Sequence, residues 1–337
     1  MTGPPGPERF VVLGSNSFSG ASFAAHVLAA DPAARVTGIS RSPEPPPELR
    51  PYREVAAHRF HFHQLDLNRD LGAIVRVIEH ERPHYIVNFA AQSMVGQSWS
   101  HPGDWFRTNA LSTVALVDQL KELPGLRRFV QVSTPEVYGH CPTSIAESAP
   151  LNPSTPYAAS KAAGDLGILP YHKSYGFPVL TTRAANVYGP HQQVYRIIPR
   201  SVLRILQGRK IPLQGGGRAR RWFIHIRDVC RATLELARRG RSGEAYHIAP
   251  EGEGIRIAEL VGRLCELLGR RFEDCVCEVG ERVGQDGAYA LDASKLRREF
   301  GWRAQIPLES GLREVIGWIE KHRALLSELP EEYVHKP

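Results

Sequence analysis

The chain has 337 residues, 42% of them hydrophobic, and a formal charge of +7 in which arginine far outnumbers lysine. No stretch approaches the roughly 18 consecutive apolar residues that a membrane span requires, and MTGPPGPERF lacks the basic-then-apolar layout of a secretory signal. A cytoplasmic globular protein without a membrane partner is therefore expected. The arginines are scattered and not interleaved with aromatics, which argues against nucleic acid and for a small anionic ligand that two or three of them would serve. The five cysteines include no C-x-x-C pair, so neither a disulfide framework nor a metal site is indicated, and Cys275-Val276-Cys277 reads as a strand with buried or half-buried thiols.

Residues 1–8 are rich in proline and glycine and read as a disordered N-terminus. RFVVLG then reads as a short buried strand, Gly14 to Gly20 as a loop and ASFAAHVLAA as a helix. Strand, glycine loop and helix is the order in which backbone N–H groups and a helix N-terminus receive a pyrophosphate, with Gly14, Ser17, Phe18 and Gly20 as the candidate contacts. The next strand, RVTGIS, ends in Ser40-Arg41. A carboxylate at this place accepts the ribose hydroxyls of NAD, whereas a serine and an arginine suit a 2′-phosphate, so NADP is the expected cofactor and NAD the alternative. FHFHQLDLN reads as a strand running to Asp66-Leu67, and its histidines lack a carboxylate partner, which makes them structural. The helix LGAIVRVIEHE and the strand YIVNFAAQS follow, the latter ending in the small pair Ala90-Ala91, where a cofactor can approach closely. WFRTNALSTVALVDQL reads as one long helix containing Asn109, and RFVQVS as the next strand. Strands alternating with helices in units of about 30 residues predict an α/β protein with a doubly wound parallel sheet.

The block from Ser133 to Lys161 carries a hydroxyl, a carboxylate, a phenol and an ammonium: Thr134, Glu136, Tyr157 and Lys161. Tyr157 and Lys161 stand four apart in an Ala-rich helical segment and so share a face. A lysine so placed is expected to lower the phenol's pKa and make it a base near neutral pH. Beyond it, PVLTTRAANVYGP runs from strand into a loop with Asn186, IIPRSVLRILQG is an amphipathic helix, and GGGRARRWFIHIRDVC places arginines before a strand and Asp228. No internal repeat or linker is evident, so substrate-binding elements are expected from interleaved stretches near 180–230 and 250–337.

In chain order, Gly14 to Gly20, AAQS at Ala90–Ser93, STPEVYG, Y-A-A-S-K and RAANVYGP resemble the extended short-chain dehydrogenase/reductase family, in its nucleotide-sugar-modifying branch, from about Arg9 to Trp318. The resemblance implies a Rossmann-like dinucleotide-binding domain over 9–180, a smaller interleaved α/β substrate-binding region over 181–337, and a homodimer or higher homo-oligomer built on the helices of Tyr157 and Asn109. It places Asp66 and Leu67 at the adenine, Ala90 and Ala91 at the nicotinamide side, and Ser93 and Asn186 at the sugar nucleotide. Tyr157 would be the base at C4, Thr134 its partner, and Lys161 the holder of the ribose. Arg221, seven residues before Asp228, would meet the diphosphate, although Arg218 and Arg220 leave a register of one open, and Arg282 would be a second contact. Related epimerases carry a small apolar residue where this chain has Glu136. A carboxylate there is a base for C5, which points to 4,6-dehydration of a nucleotide sugar with a bound, recycled cofactor.

Four departures from the family pattern stand out: Ser17 for a glycine, Met94 for a histidine, Val283 for a proline, and Pro135 where glucose-type dehydratases have the aspartate of T-D-E. Proline cannot donate a proton, and GDP-mannose-type enzymes lack that aspartate too. Decarboxylation, 5,6-dehydration and epimerisation of a nucleotide sugar are the alternatives on the same fold. A non-enzymatic nucleotide sensor is the alternative of another class.

Overall fold

The computed structural model describes residues 6–280, 284 and 286–336. Seven strands, β1 (Arg9–Leu13), β2 (Arg35–Ser40), β3 (Phe60–Gln64), β4 (Tyr85–Asn88), β5 (Arg128–Val132), β6 (Val179–Ala184) and β7 (Ala245–Ile248), form one sheet. They lie in the order β7-β6-β5-β4-β1-β2-β3, with every pairing parallel. Val11, Val12, Ile86, Val87, Phe129 and Val130 are fully buried, because helices cover both faces and adjacent side chains are enclosed alike. The strands therefore read as continuous apolar runs. Chain order reverses beside β1, between β4 and β2, and the carboxyl ends of the strands open into a crevice there.

The first helix, α1 (Phe18–Ala30), begins at Ser17, whose hydroxyl accepts from the N–H of Gly20 at 3.1 Å and donates to the carbonyl of Gly14 at 2.7 Å. Here the departure from glycine serves as a helix cap. The helix α2 is Leu71–Glu81. The long helix expected around Asn109 is continuous but not uniform: α3 consists of Pro102–Phe106, a wider π-type segment Arg107–Ser112, and Thr113–Leu120. Inside the wide turn the carboxamide of Asn109 donates to the Gln92 carbonyl and to Ser160 Oγ and accepts from the Gln92 N–H, at 2.9–3.0 Å. An extra residue in the turn aims this side chain at the end of β4, a use to which π-type turns are often put. Gly164, on α4 (Pro156–Tyr175), has to be glycine, since a Cβ would come within 2.2 Å of the Asn109 carbonyl.

Later parts of the chain build a second core. Asn186–Tyr188 pairs with Phe223–His225, and Ile211–Gln214 with Val276–Val279. Helices α5 (Ile197–Leu206), α7 (Ile257–Leu267) and α8 (Leu308–Lys321) bury Val202, Leu260 and Leu312 together. Between them α6 (Ile226–Arg239) returns to the main sheet's core through Val229 and Leu236. Cys141–Ile145, from the first half of the chain, pairs with Tyr289–Leu291. Glu8, within the stretch expected to be disordered, forms an ion pair with Arg238 at 2.7 Å. The five thiols are free, and Cys277 is exposed, contrary to the expectation of burial, because its short strand lies at the rim of the second core.

Candidate active site

A cleft of about 1130 Å³ opens above the strand ends, and it gathers the candidate residues of the early chain. Gly14, Ser17 and Phe18 line it at the first loop, Ser40 and Arg41 at the end of β2, Asp66 and Leu67 after β3, and Ala90, Ala91 and Ser93 after β4. Gly20 does not line it. Its role is close packing: a Cβ would stand 2.3 Å from the Gly14 carbonyl. Gly14 itself has φ +76°, and a Cβ there would fall 2.6 Å from the Ala90 N–H nitrogen, so only glycine brings the loop this close to β4. Ser40 Oγ accepts from the Asn16 N–H at 2.9 Å, and Arg41 Nη1 donates to the Lys336 carbonyl at 2.8 Å.

Thr134, Glu136, Tyr157 and Lys161 line the same cleft. Thr134 follows β5 and caps a short turn, its hydroxyl accepting from the Glu136 N–H at 3.3 Å. Thr155 caps α4, and Pro156 occupies its first position, where no N–H is missed. Tyr157, Lys161 and Asp165 then recur every four residues along one face. Lys161 Nζ donates to the Val132 carbonyl at 2.7 Å, and Asp165 accepts from Ser133 Oγ at 2.6 Å and pairs with Arg183 at 3.1 Å. This buried network fixes the helix against the end of β5.

The electrostatics correct one expectation. Burial, and then the charge of Glu136, hold the Tyr157 phenol well above its ordinary pKa, against the pull of a Thr134 hydrogen bond and of Arg196. Lys161, buried and turned to a backbone carbonyl, has its own pKa lowered by burial, with Asp165 acting the other way. Proximity in sequence told of the charge but not of the desolvation, and desolvation dominates.

The second half of the chain completes the walls. Asn186 and Arg221 line the cleft. Arg221 packs its guanidinium 4.4 Å over the Tyr289 ring and donates to the carbonyls of Asp286 and Gly287. Arg220 turns instead to the Gly254 carbonyl, and Asp228 accepts from the N–H groups of Gln305 and Ile306, so of the three arginines Arg221 is the one that lines the cleft. Arg282 lies outside the described residues.

The family model of the NAD dependent epimerase/dehydratase family matches residues 10–249. The chain belongs to this family. It is 37% identical to the dTDP-glucose 4,6-dehydratase of Xanthomonas campestris pv. campestris over 73% of this chain and 76% of that one. It is 34% identical to the dTDP-glucose 4,6-dehydratase of Actinoplanes sp., over 94% and 99% of the two chains. Among solved structures, dTDP-glucose 4,6-dehydratase from Streptomyces venezuelae with NAD bound superposes with a TM-score of 0.87 at 35% identity, covering 94% of this chain and 98% of that one. The dTDP-glucose 4,6-dehydratase of Bacillus anthracis in complex with NAD gives 0.85 at 32% identity, over 94% and 98%.

The cleft has further residues to which the sequence reading gave no role. Gln92 is 1% exposed, and Arg196 donates to Ser93 Oγ at 3.2 Å. Tyr195, Arg200 and the segment Pro330–Lys336 also reach the cleft. Gln92 was legible in principle, as the polar residue after two alanines at a strand end; the final segment carried no signal. Among the described residues one group of metal-capable side chains occurs, His101, Asp104 and His335, with ligand atoms within 4.8 Å of one another. The two imidazoles stack at 4.7 Å and 11°, and His335 Nε2 hydrogen-bonds Asp104 Oδ2 at 2.8 Å. No helix among the described residues is long and apolar enough to cross a membrane.

Proposed function

We propose that this chain is a nucleotide-sugar 4,6-dehydratase that takes a nucleoside diphosphate hexose to its 4-keto-6-deoxy derivative with a retained nicotinamide dinucleotide. The observation that carries this reading is the position of Glu136: it stands in the same cleft wall as Thr134, Tyr157 and Lys161 and is electrostatically coupled to the Tyr157 phenol. An epimerase working only at C4 has no use for a carboxylate there. The residues fit a dinucleotide, because the loop from Gly14 sits hard against β4 and the cleft exceeds the roughly 300–1,000 Å³ of a single small-molecule site, leaving room for cofactor and sugar nucleotide together.

The cleft residues would hold a nicotinamide dinucleotide, whose chemistry when bound would be reversible hydride transfer between C4 and C6 of the sugar. Tyr157 takes the proton of the C4 hydroxyl, and Thr134 holds the phenolic oxygen through its hydrogen bond. An oxidised nicotinamide bound beside Tyr157 would bring a positive charge that opposes the burial keeping the phenol protonated. Lys161 holds the ribose. Once C4 is a ketone the C5 proton is acidic, and Glu136 removes it and delivers it to the departing C6 hydroxyl, which leaves as water; Pro135 has no proton to give. The proton taken from O4 returns at C5 as hydride reaches C6, so the balance closes at one water lost. Ser93, Asn186 and Arg221 line the cleft, where the first two would meet the sugar and Arg221 the diphosphate.

Ser40 and Arg41 support NADP as the retained cofactor, since neither is a carboxylate that would accept ribose hydroxyls. Denaturation should release the phosphorylated dinucleotide. Finding NAD alone, as in the structural relatives solved with it, would assign the cofactor to the other form. Leu111 on α3 and Leu166 on α4 are 68% and 56% exposed, an apolar pair that supports a homodimer through these helices in a cytoplasmic enzyme.

The deciding experiment uses Glu136→Gln. With dTDP-glucose or GDP-mannose in deuterated water, the wild type should lose one water and carry deuterium at C5. Glu136→Gln should still oxidise C4, so that reduced nicotinamide accumulates at 340 nm on the order of one per site while water loss falls a hundredfold or more. Dehydration by Glu136→Gln at the wild-type rate, or carbon dioxide in place of water from UDP-glucuronate, overturns the assignment.

A further inference from the structure

We propose that the segment Pro330–Lys336 is a strap across the rim of the cleft that positions Arg41 and Gln92 and holds the bound dinucleotide in place. It rests on the dinucleotide reading of the cleft and not on the dehydration chemistry. Three sets of contacts fasten the segment. The Lys336 carbonyl accepts from Arg41 Nη1 at 2.8 Å and from Gln92 Nε2 at 2.7 Å, while the Tyr333 hydroxyl donates to Gln92 Oε1 at 3.0 Å. His335 lies between the Trp105 ring, 5.0 Å away at 19°, and the His101 ring, and its Nε2 hydrogen-bonds Asp104 Oδ2 at 2.8 Å. Glu331 pairs with Arg204 at 2.9 Å and with Arg209, while the Tyr333 ring meets Tyr195 edge-on at 5.6 Å. The strap thus bridges residues after β2 and β4 on one side and α5 on the other.

These anchors are partners of the two residues that flank the cofactor's path. Arg41 directly follows β2, where a 2′-phosphate or ribose would be met, and Gln92 follows Ala90-Ala91, where the cofactor would pass toward Tyr157; both line the cleft. Both hydrogen-bonding groups of the Gln92 side chain, an amide 1% exposed, are taken by the strap. Without the strap that amide lacks these partners and Arg41 loses one acceptor. Arg41, Gln92 and the segment line the same cleft as Gly14 and as Tyr157 and Lys161 of α4, so a dinucleotide held against those residues would lie against the segment. An enzyme that returns hydride to its own product gains from a cofactor that does not leave between turnovers.

The test measures exchange of the bound dinucleotide for a radiolabelled copy, in full-length His335→Ala and Tyr333→Phe and in a chain lacking residues 330–337. Exchange should accelerate tenfold or more in the deletion and measurably in each point variant, with a raised KM for added cofactor and kcat at saturating cofactor within twofold for His335→Ala, which acts only through the strap. Exchange within twofold of wild type in all three overturns the proposal. So does slower exchange, which would make the segment a plug. Should the deletion fail to fold, the two point variants decide. Because exchange needs no turnover, its outcome is independent of the Glu136→Gln experiment.

Discussion

The floor of the cleft and its rim are held together in different ways. The wall that carries Thr134, Glu136, Tyr157 and Lys161 comes from one short block: Thr134 follows β5, Lys161 reaches back 29 residues to the Val132 carbonyl, and the helix face repeats every four residues. The rim depends on pairings such as Arg41 with Lys336, 295 residues apart, and Gln92 with the same carbonyl, 244 apart. Short-range order is fixed by periodicity and caps, so a change in the floor should act on chemistry or on folding as a whole. Long-range fastening adds little to the core, so a change in the rim should act on ligand exchange.

The largest effect that would test this contrast is on turnover. Tyr157→Phe removes one oxygen from the floor, and kcat should fall by about 10²–10⁴-fold, the range for loss of a general base, with cofactor content unaltered. Steady-state kinetics retaining more than about a tenth of the wild-type kcat would remove Tyr157 from the chemistry. Next comes folding. Asp165 and Arg183 form an ion pair with side chains 3% and 7% exposed, and Asp165→Asn leaves the arginine charge without its counterpart. Urea unfolding should show a loss of about 3–5 kcal/mol; a loss under about 1 kcal/mol would mean that the network does not anchor α4.

The smallest effect concerns pH. Glu136 is the second cause, after burial, of the raised Tyr157 pKa. Removing its negative charge stabilises the phenolate, so in Glu136→Gln the pH midpoint for nicotinamide reduction should move down relative to wild type. Stopped-flow absorbance at several pH values would read this directly. A midpoint that stays or rises would mean that Glu136 is not coupled to the phenol as the geometry implies, and the floor would no longer be one electrostatic unit.

By itself the sequence determined the parallel sheet, the glycine loop, and the block with Thr134, Glu136, Tyr157 and Lys161, because strand period, helix period and glycine's steric freedom act over a few residues. Ser17 as a cap was within its reach. Which of Arg218, Arg220 and Arg221 enters the cleft was not, since a shift of one residue turns a side chain to the other face of a strand and only the pairing of Arg220–Arg221 with Ile255–Arg256 sets it. The π-type turn at Asn109 follows from contacts with Gln92 and Ser160, and the high phenol pKa from desolvation. The segment Pro330–Lys336 reached the rim for the same reason: contacts between residues hundreds of positions apart leave no periodic trace, and only the packed structure brings their partners together.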